Sequence, residues 1–189
     1  MLELIQSTDY AILHVLCEQV RSAVLTPVML CITHLGDGGA VWLVLAALCL
    51  VRRPTRRCGV AMLLALLLGL LVGNLAIKNL VARPRPFETY PELVNLVAQG
   101  GYSFPSAHAM SSFAAATGLF LFCRSWGRTA LGVLPLVLAA LIAFSRLYVC
   151  VHYPSDVVCG ALLGVLLGCL ATYLVKRARQ RFPRVKELL

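Results

Sequence analysis

Charge is scarce in this 189-residue chain: Asp, Glu, Lys and Arg make up 13% of it, and only eight residues are acidic. Soluble domains average about 25% charged and roughly 45–50% apolar residues. Here 60% of residues are hydrophobic and mean hydropathy is +0.84, which excludes a soluble composition. No C-x-x-C pair occurs among the eight cysteines (Cys17, Cys31, Cys49, Cys58, Cys123, Cys150, Cys159 and Cys169). Most lie inside apolar runs, where cysteine behaves as a small hydrophobe, so neither a disulfide framework nor a metal cluster is expected from them. Residues 1–9 lack a basic stretch followed by an apolar one, and no cleavable signal peptide is expected there. Internal repeats and low-complexity tracts are also missing.

Long apolar runs are what the chain does have. A bilayer-crossing helix needs about 20 mostly apolar residues, so the length suits one domain, 1–189, with about six such helices and short loops. Four spans are predicted at 59–80, 108–123, 130–149 and 157–175, each bounded by charge, Pro or Gly. A fifth ends at Val51, but the run from Ala40 is too short to cross alone. It therefore takes in residues before Gly36-Asp37-Gly38-Gly39, which forms a break within or beside the membrane. Residues 8–34 are interrupted by His14, Glu18, Arg21 and Pro27. Segment 1–35 is thus read either as an N-terminal amphipathic helix or as the first membrane helix. The fold class expected is all-α, a polytopic membrane bundle of six helices, five or six of them spanning.

The net charge of +9 is unevenly spread. Four arginines fall in residues 52–57, two more are Arg124 and Arg128, and six Lys/Arg lie in the basic tail, 176–189. These loops would share one membrane face, the positive-inside pattern of a cytoplasmic surface. The tail is read as a topology signal touching anionic headgroups of the lipid bilayer, and no nucleic acid partner is expected. The segments on the other face, 82–107 and 150–156, would then be non-cytoplasmic. Segment 82–107 is rich in Pro, Gly and aromatics, as a lid or binding loop would be.

Of the five remaining basic residues, Lys78, Arg83, Arg85 and Arg146 sit at these outer helix ends. Cations placed against the positive-inside trend, and ionisable groups at a span's edge, point to function. A first cluster runs from Lys78 to Arg85-Pro86. Arginine offers a planar fork for phosphate oxygens and lysine a compact point charge, although snorkelling side chains before a proline helix stop would look the same. The second, Pro105-Ser106-Ala107-His108, precedes an apolar helix. Ser106 is a natural N-cap, the free N–H groups of a helix start bind anions, and His108 could protonate a leaving oxygen. The third runs from Ser145-Arg146 through His152 to Asp156. An Asp four residues from a His can accept its N–H and fix the tautomer, leaving the other nitrogen to attack. A helix cap would explain Asp156 but neither Arg146 nor His152. Together the clusters, within 78–156, supply what phosphoryl transfer needs, namely positioning and charge stabilisation.

These residues resemble the type 2 phosphatidic acid phosphatase (PAP2) superfamily, whose signature is K-x6-RP, PSGH and SR-x5-H-x3-D. Lys78 to Pro86 fits the first part and Ser145 to Asp156 the third; Pro105 to His108 fits the second with Ala107 in place of Gly. The resemblance implies a metal-independent membrane lipid phosphatase without cofactors. His152 would be the nucleophile forming a phosphohistidine, Asp156 its orienting acid and His108 the acid for the leaving oxygen. Lys78, Arg85, Ser106, the Ala107 backbone and Arg146 would hold the phosphate, and Arg83 a second phosphate or headgroup. The expected substrate is a membrane lipid phosphate or diphosphate, undecaprenyl diphosphate foremost, with phosphatidylglycerol phosphate or phosphatidate as alternatives. The implied location is a bacterial inner membrane, with the site facing outward and the C-terminus in the cytoplasm. Vanadium haloperoxidases share the fold, but those relatives are soluble. A non-catalytic lipid-phosphate binding or transport protein would need neither His108 nor His152.

Overall fold

The structure, a computed structural model, describes residues 2–182. The end of the basic tail, with Arg184 and Lys186, lies outside the described residues. Those described form a helical bundle without strands: α1 (Leu2–Val15), α2 (Leu25–Leu35), α3 (Ala40–Val51), α4 (Arg56–Gly69), α5 (Lys78–Val81), α6 (Pro86–Thr89), α7 (Ala107–Ser125), α8 (Thr129–Tyr148) and α9 (Pro154–Arg181). Helix α4 passes through a π-helical stretch, Leu70–Ile77, directly into α5. This long helix stops where Ala82 turns to φ +47 and prolines follow at 84 and 86, since proline lacks the N–H a further turn requires. Helices lie over all four predicted segments to within a few residues, but α7, over 108–123, is not among those long and apolar enough to cross a membrane.

Three helical stretches are long and apolar enough to cross a membrane: Arg53–Thr89, Thr129–Tyr148 and Pro154–Arg181. A fourth candidate is the pair Leu25–Leu35 and Asp37–Val51, bent by 47° at the glycines. The break expected at Gly36–Gly39 is therefore real; Gly38 and Gly39 take φ +58 and +73, values that suit glycine. Residues 8–34 divide between two elements. Helix α1 buries Leu13 and Asp9 and leaves most other side chains exposed, whereas α2 is the first arm of the bent pair.

Helix α7 is the centre, packed by α4, α8 and α9. Helices in lipid gain little from burying apolar surface against one another, so close backbone approach through small residues carries much of the association. Gly160, Gly164 and Gly168 form that seam on α9. A Cβ at these three positions would lie 2.7 Å from Ser106 O, 2.4 Å from Met110 O and 2.5 Å from Ala114 O, respectively. The seam sets the start of α9 directly against the start of α7. At the opposite end, Arg57, Trp126, Lys176 and Arg179 line one cavity of about 260 Å³, so the three basic clusters share one face as the topology required.

Candidate active site

The three polar clusters meet at the end remote from those arginines. Arg85 Nη1 donates to the Val151 carbonyl at 2.7 Å, joining the first cluster to the third. The Ser106 N–H donates to the Asp156 carbonyl at 3.1 Å, joining the second to the third.

Helix α8 ends at Tyr148, and Cys150, with φ +57, reverses the chain so that His152 turns inward with 2% of its surface exposed. Asp156, in the first turn of α9, caps that helix by accepting the Tyr153 N–H at 2.9 Å. The direct His152–Asp156 hydrogen bond expected from the spacing is not formed. Nδ1 stands 3.7 Å from Asp156 Oδ2, beyond hydrogen-bonding range, because that oxygen already accepts the cap bond and Ser103 Oγ, at 2.5 Å. Ser103 Oγ lies between the two, 3.4 Å from Nδ1. The acid side of the ring is Nδ1, which leaves Nε2 for attack. Burial pushes the imidazole down to about 3, with Arg85 and Arg146 acting in the same direction against Asp156. Burial and the two guanidiniums thus favour the neutral ring, the form a nucleophile needs.

Arg83 has partners other than those expected of it. Its Nη1 donates to Asp156 Oδ1 at 2.6 Å and to Ser155 Oγ at 2.8 Å, its Nη2 donates to Asp9 Oδ2 at 2.8 Å, and its guanidinium lies over the Tyr153 ring. Asp9, 3% exposed, also accepts the Ser155 N–H and hydroxyl. Three of the five Arg83 N–H groups are thus engaged, two of them by carboxylates, which ties α1 to α9 through Asp9 and Asp156.

Arg85 is fully buried. It donates to the carbonyls of Gly100, Gly101, Tyr102 and Val151, pinning the 82–107 loop and leaving one of its five N–H groups uncommitted. Arg146 donates from Nη1 to Thr33 Oγ1 at 2.6 Å and from Nη2 to Gln99 Oε1 at 2.7 Å, while its buried Nε has no partner. Ser106 occupies the N-cap position of α7, but its hydroxyl does not cap; Oγ is buried without a partner. Ala107 begins the helix and is not among the positive-φ residues, so its methyl group introduces no backbone strain. Lys78 is half-buried at the end of the long helix; its charge acts on His108, and that of Arg146 acts on both His108 and His152.

His108 is 13% exposed, and its Nε2 pairs with Asp37 Oδ1 at 2.9 Å. Beside it opens a cavity of about 440 Å³, walled by Leu43, Leu63, Leu66, Leu67, Leu70 and Met110. Asp9, Thr33, Asp37, Gln99 and Ser103 belong to the site without falling in any of the three motifs. A lone Asp in an otherwise exposed amphipathic helix, or in a glycine turn, was the only signal available for the two acids.

Comparison with known proteins gives the family and the fold. The PAP2 superfamily profile matches residues 58–180. An undecaprenyl-diphosphatase of Sulfolobus acidocaldarius is 32% identical over 132 residues, 69% of this chain and 62% of its own length, so this chain spans less than two thirds of that relative. A decaprenylphosphoryl-5-phosphoribose phosphatase of Mycobacterium tuberculosis is 36% identical over 159 residues, 79% of this chain and 82% of its own. The crystal structure of a transmembrane PAP2-type phosphatidylglycerolphosphate phosphatase from Bacillus subtilis superposes with a TM-score of 0.78 at 27% identity, covering 95% of this chain and 90% of that one.

Proposed function

Because this chain belongs to the PAP2 superfamily of membrane phosphatases, we propose that it releases phosphate from a polyprenyl phosphate or diphosphate through a phosphohistidine on His152, without a metal. His152 Nε2 attacks phosphorus as the bond to the leaving oxygen breaks, and His108 supplies the proton that oxygen takes. Water then attacks phosphorus as its bond to His152 Nε2 breaks, with His108 accepting the water's proton, the electron pair returning to the imidazole and phosphate leaving. Asp156, held by Arg83 and Ser103, fixes the ring from the Nδ1 side. Lys78, Arg85, Arg146, Ser106 and the α7 N-terminus receive the phosphate oxygens, with preorganised donors acting where charge develops.

The observation that carries this reading is the pair of buried, unpartnered donors on motif residues, Ser106 Oγ and Arg146 Nε. Buried polar groups are nearly always paired, and a phosphate would satisfy both. The leucine-lined cavity beside His108 supports a lipid leaving group, and both relatives named for prenyl substrates support a polyprenyl chain. The basic residues gathered at the far end support an outward-facing site, in a bacterial inner membrane, with the C-terminus in the cytoplasm.

The test is phosphate release by purified protein from undecaprenyl diphosphate and monophosphate, a polyprenylphosphoryl sugar phosphate, phosphatidylglycerol phosphate and phosphatidate. Turnover should be highest on a prenyl substrate, and His152→Ala should abolish it while retaining lipid binding. Equal turnover by both proteins removes His152 from the mechanism; preference for a glycerolipid overturns the prenyl assignment.

A further inference from the structure

Asp37 lies outside all three motifs, yet its carboxylate bridges two imidazoles. Oδ1 pairs with His108 Nε2 at 2.9 Å and Oδ2 with His34 Nδ1 at 2.8 Å. The break in the bent helix pair is built to bring it there. Asp37 opens a tight turn completed by Gly38 and Gly39 in left-handed conformations. Gly36, just before it, has no side chain in the way of the ring: a Cβ there would lie 2.7 Å from both His108 Cδ2 and Ile142 Cγ2. The other charged groups acting on His108 are cations, Arg146 from α8 and Lys78 from α5. Burial first, and then both cations, oppose a positive charge on the ring, and Asp37 is the acid that offsets them in part. The site needs that charge, since an acid can serve the leaving oxygen only while it holds a proton.

We infer that Asp37 is a positioning residue for the leaving-group acid: it pairs with His108 through Nε2 and directs Nδ1 at the leaving oxygen, while His34 fixes the second carboxylate oxygen from the exposed side. The inference rests on the phosphohistidine reading above. In the step concerned, the His152–phosphorus bond forms and the phosphorus–oxygen bond breaks. The electron pair goes to the leaving oxygen, and the imidazolium proton of His108 follows it, leaving His108 neutral beside Asp37. Attack of water on the phosphohistidine returns a proton to His108, so the pair is restored at each turnover.

The experiment compares wild type, Asp37→Asn, Asp37→Glu and His34→Ala on two substrates. One is a polyprenyl phosphate, whose alkoxide leaves poorly; the other is p-nitrophenyl phosphate, whose phenolate leaves with little need for a proton. General acid catalysis contributes about 10²–10⁴-fold. Asp37→Asn should therefore lower kcat on the prenyl substrate by about 10²-fold or more, with KM little changed, and affect the aryl ester far less. The alkaline limb of its kcat/KM profile should move to lower pH. Asp37→Glu should recover part of the loss, and His34→Ala should show the same split in weaker form. Equal losses on both substrates, or an unshifted alkaline limb, overturn the inference. If Asp37→Asn does not fold, the leaving-group split in His34→Ala decides the matter. Failure of the functional reading looks different: His152→Ala would then remain active, or wild type would hydrolyse neither substrate.

Discussion

Gly164→Ala tests the claim that helix seams, as much as the motif residues, set the catalytic geometry. A Cβ at Gly164 would sit 2.4 Å from Met110 O and 3.0 Å from both Ala114 N and Phe113 Cβ. Two of these neighbours are backbone atoms of α7, which no rotamer change can move aside. A carbon–oxygen contact between helices normally settles at about 3.3–3.6 Å, so α7 and α9 must part by about 1 Å. Asp156 lies eight residues before Gly164, about 12 Å along α9, and His108 lies two residues before Met110. The separation therefore reaches both, and stretches the 3.1 Å bond from Ser106 N–H to the Asp156 carbonyl. A misplacement of about 1 Å at a reacting centre can lower the rate about 10²-fold. Overpacking costs about 1–3 kcal/mol, partly offset by the roughly 1 kcal/mol better helix propensity of alanine. Stability should fall only modestly while kcat/KM falls about 10²-fold. Phosphate release and thermal unfolding in the same detergent measure both, with Leu166→Ala, at a 65% exposed position on the same helix, as the control. Activity within a few-fold of wild type in Gly164→Ala would falsify the argument.

Three other outcomes follow from the site. Ser106→Ala removes a hydroxyl that no protein group uses; the melting temperature should hold or rise, while kcat drops about 10²-fold, as when one preorganised anion donor is lost. Asp9→Asn strips the charge that shares Arg83 with Asp156; stability should fall by about 1–3 kcal/mol in thermal unfolding, the scale of a hydrogen bond to a charged group, with activity falling too, and an unchanged protein would mean that Arg83 braces Asp156 unaided. His152 sits at about 3 in the folded protein against its ordinary 6.5, chiefly because burial disfavours its charged form. The unfolded chain takes up a proton below about pH 6.5 that the folded chain refuses, so stability present above that pH declines as pH falls towards about 3. His152→Gln removes this contribution and should give a flatter melting curve between about pH 7 and about pH 4; curves parallel to wild type would refute the neutral, buried ring.

The candidate site was legible because its motifs fall on short contiguous stretches with fixed spacing. Arg85, His108, Arg146, His152 and Asp156 stand out as motif residues whose roles the family resemblance implies, and the bonds Arg85–Val151 and Ser106–Asp156 bear out their convergence on one end of the bundle. The partners of those residues were not legible. Asp9 reaches Ser155 across 146 positions, and Thr33 and Gln99 reach Arg146 across 113 and 47. A lone polar residue far away in the chain looks the same whether it meets water or a buried guanidinium. Arg83 shows the consequence: beside a phosphate motif it reads as another anion ligand, until two carboxylates are found to hold it.

Sequence alone determined that this chain is a membrane helix bundle with a phosphate-directed centre, because hydropathy and motif spacing are local properties that the bilayer and the helical repeat translate directly into structure. Only the tertiary structure decided that Ser103 stands between His152 and Asp156, that Arg83 pairs with Asp9 and Asp156, and that the glycine break carries Asp37 to His108. Those facts depend on how closely separate helices approach one another, and that distance is set by side-chain volumes at seams such as Gly160, Gly164 and Gly168, whose partners lie on another helix.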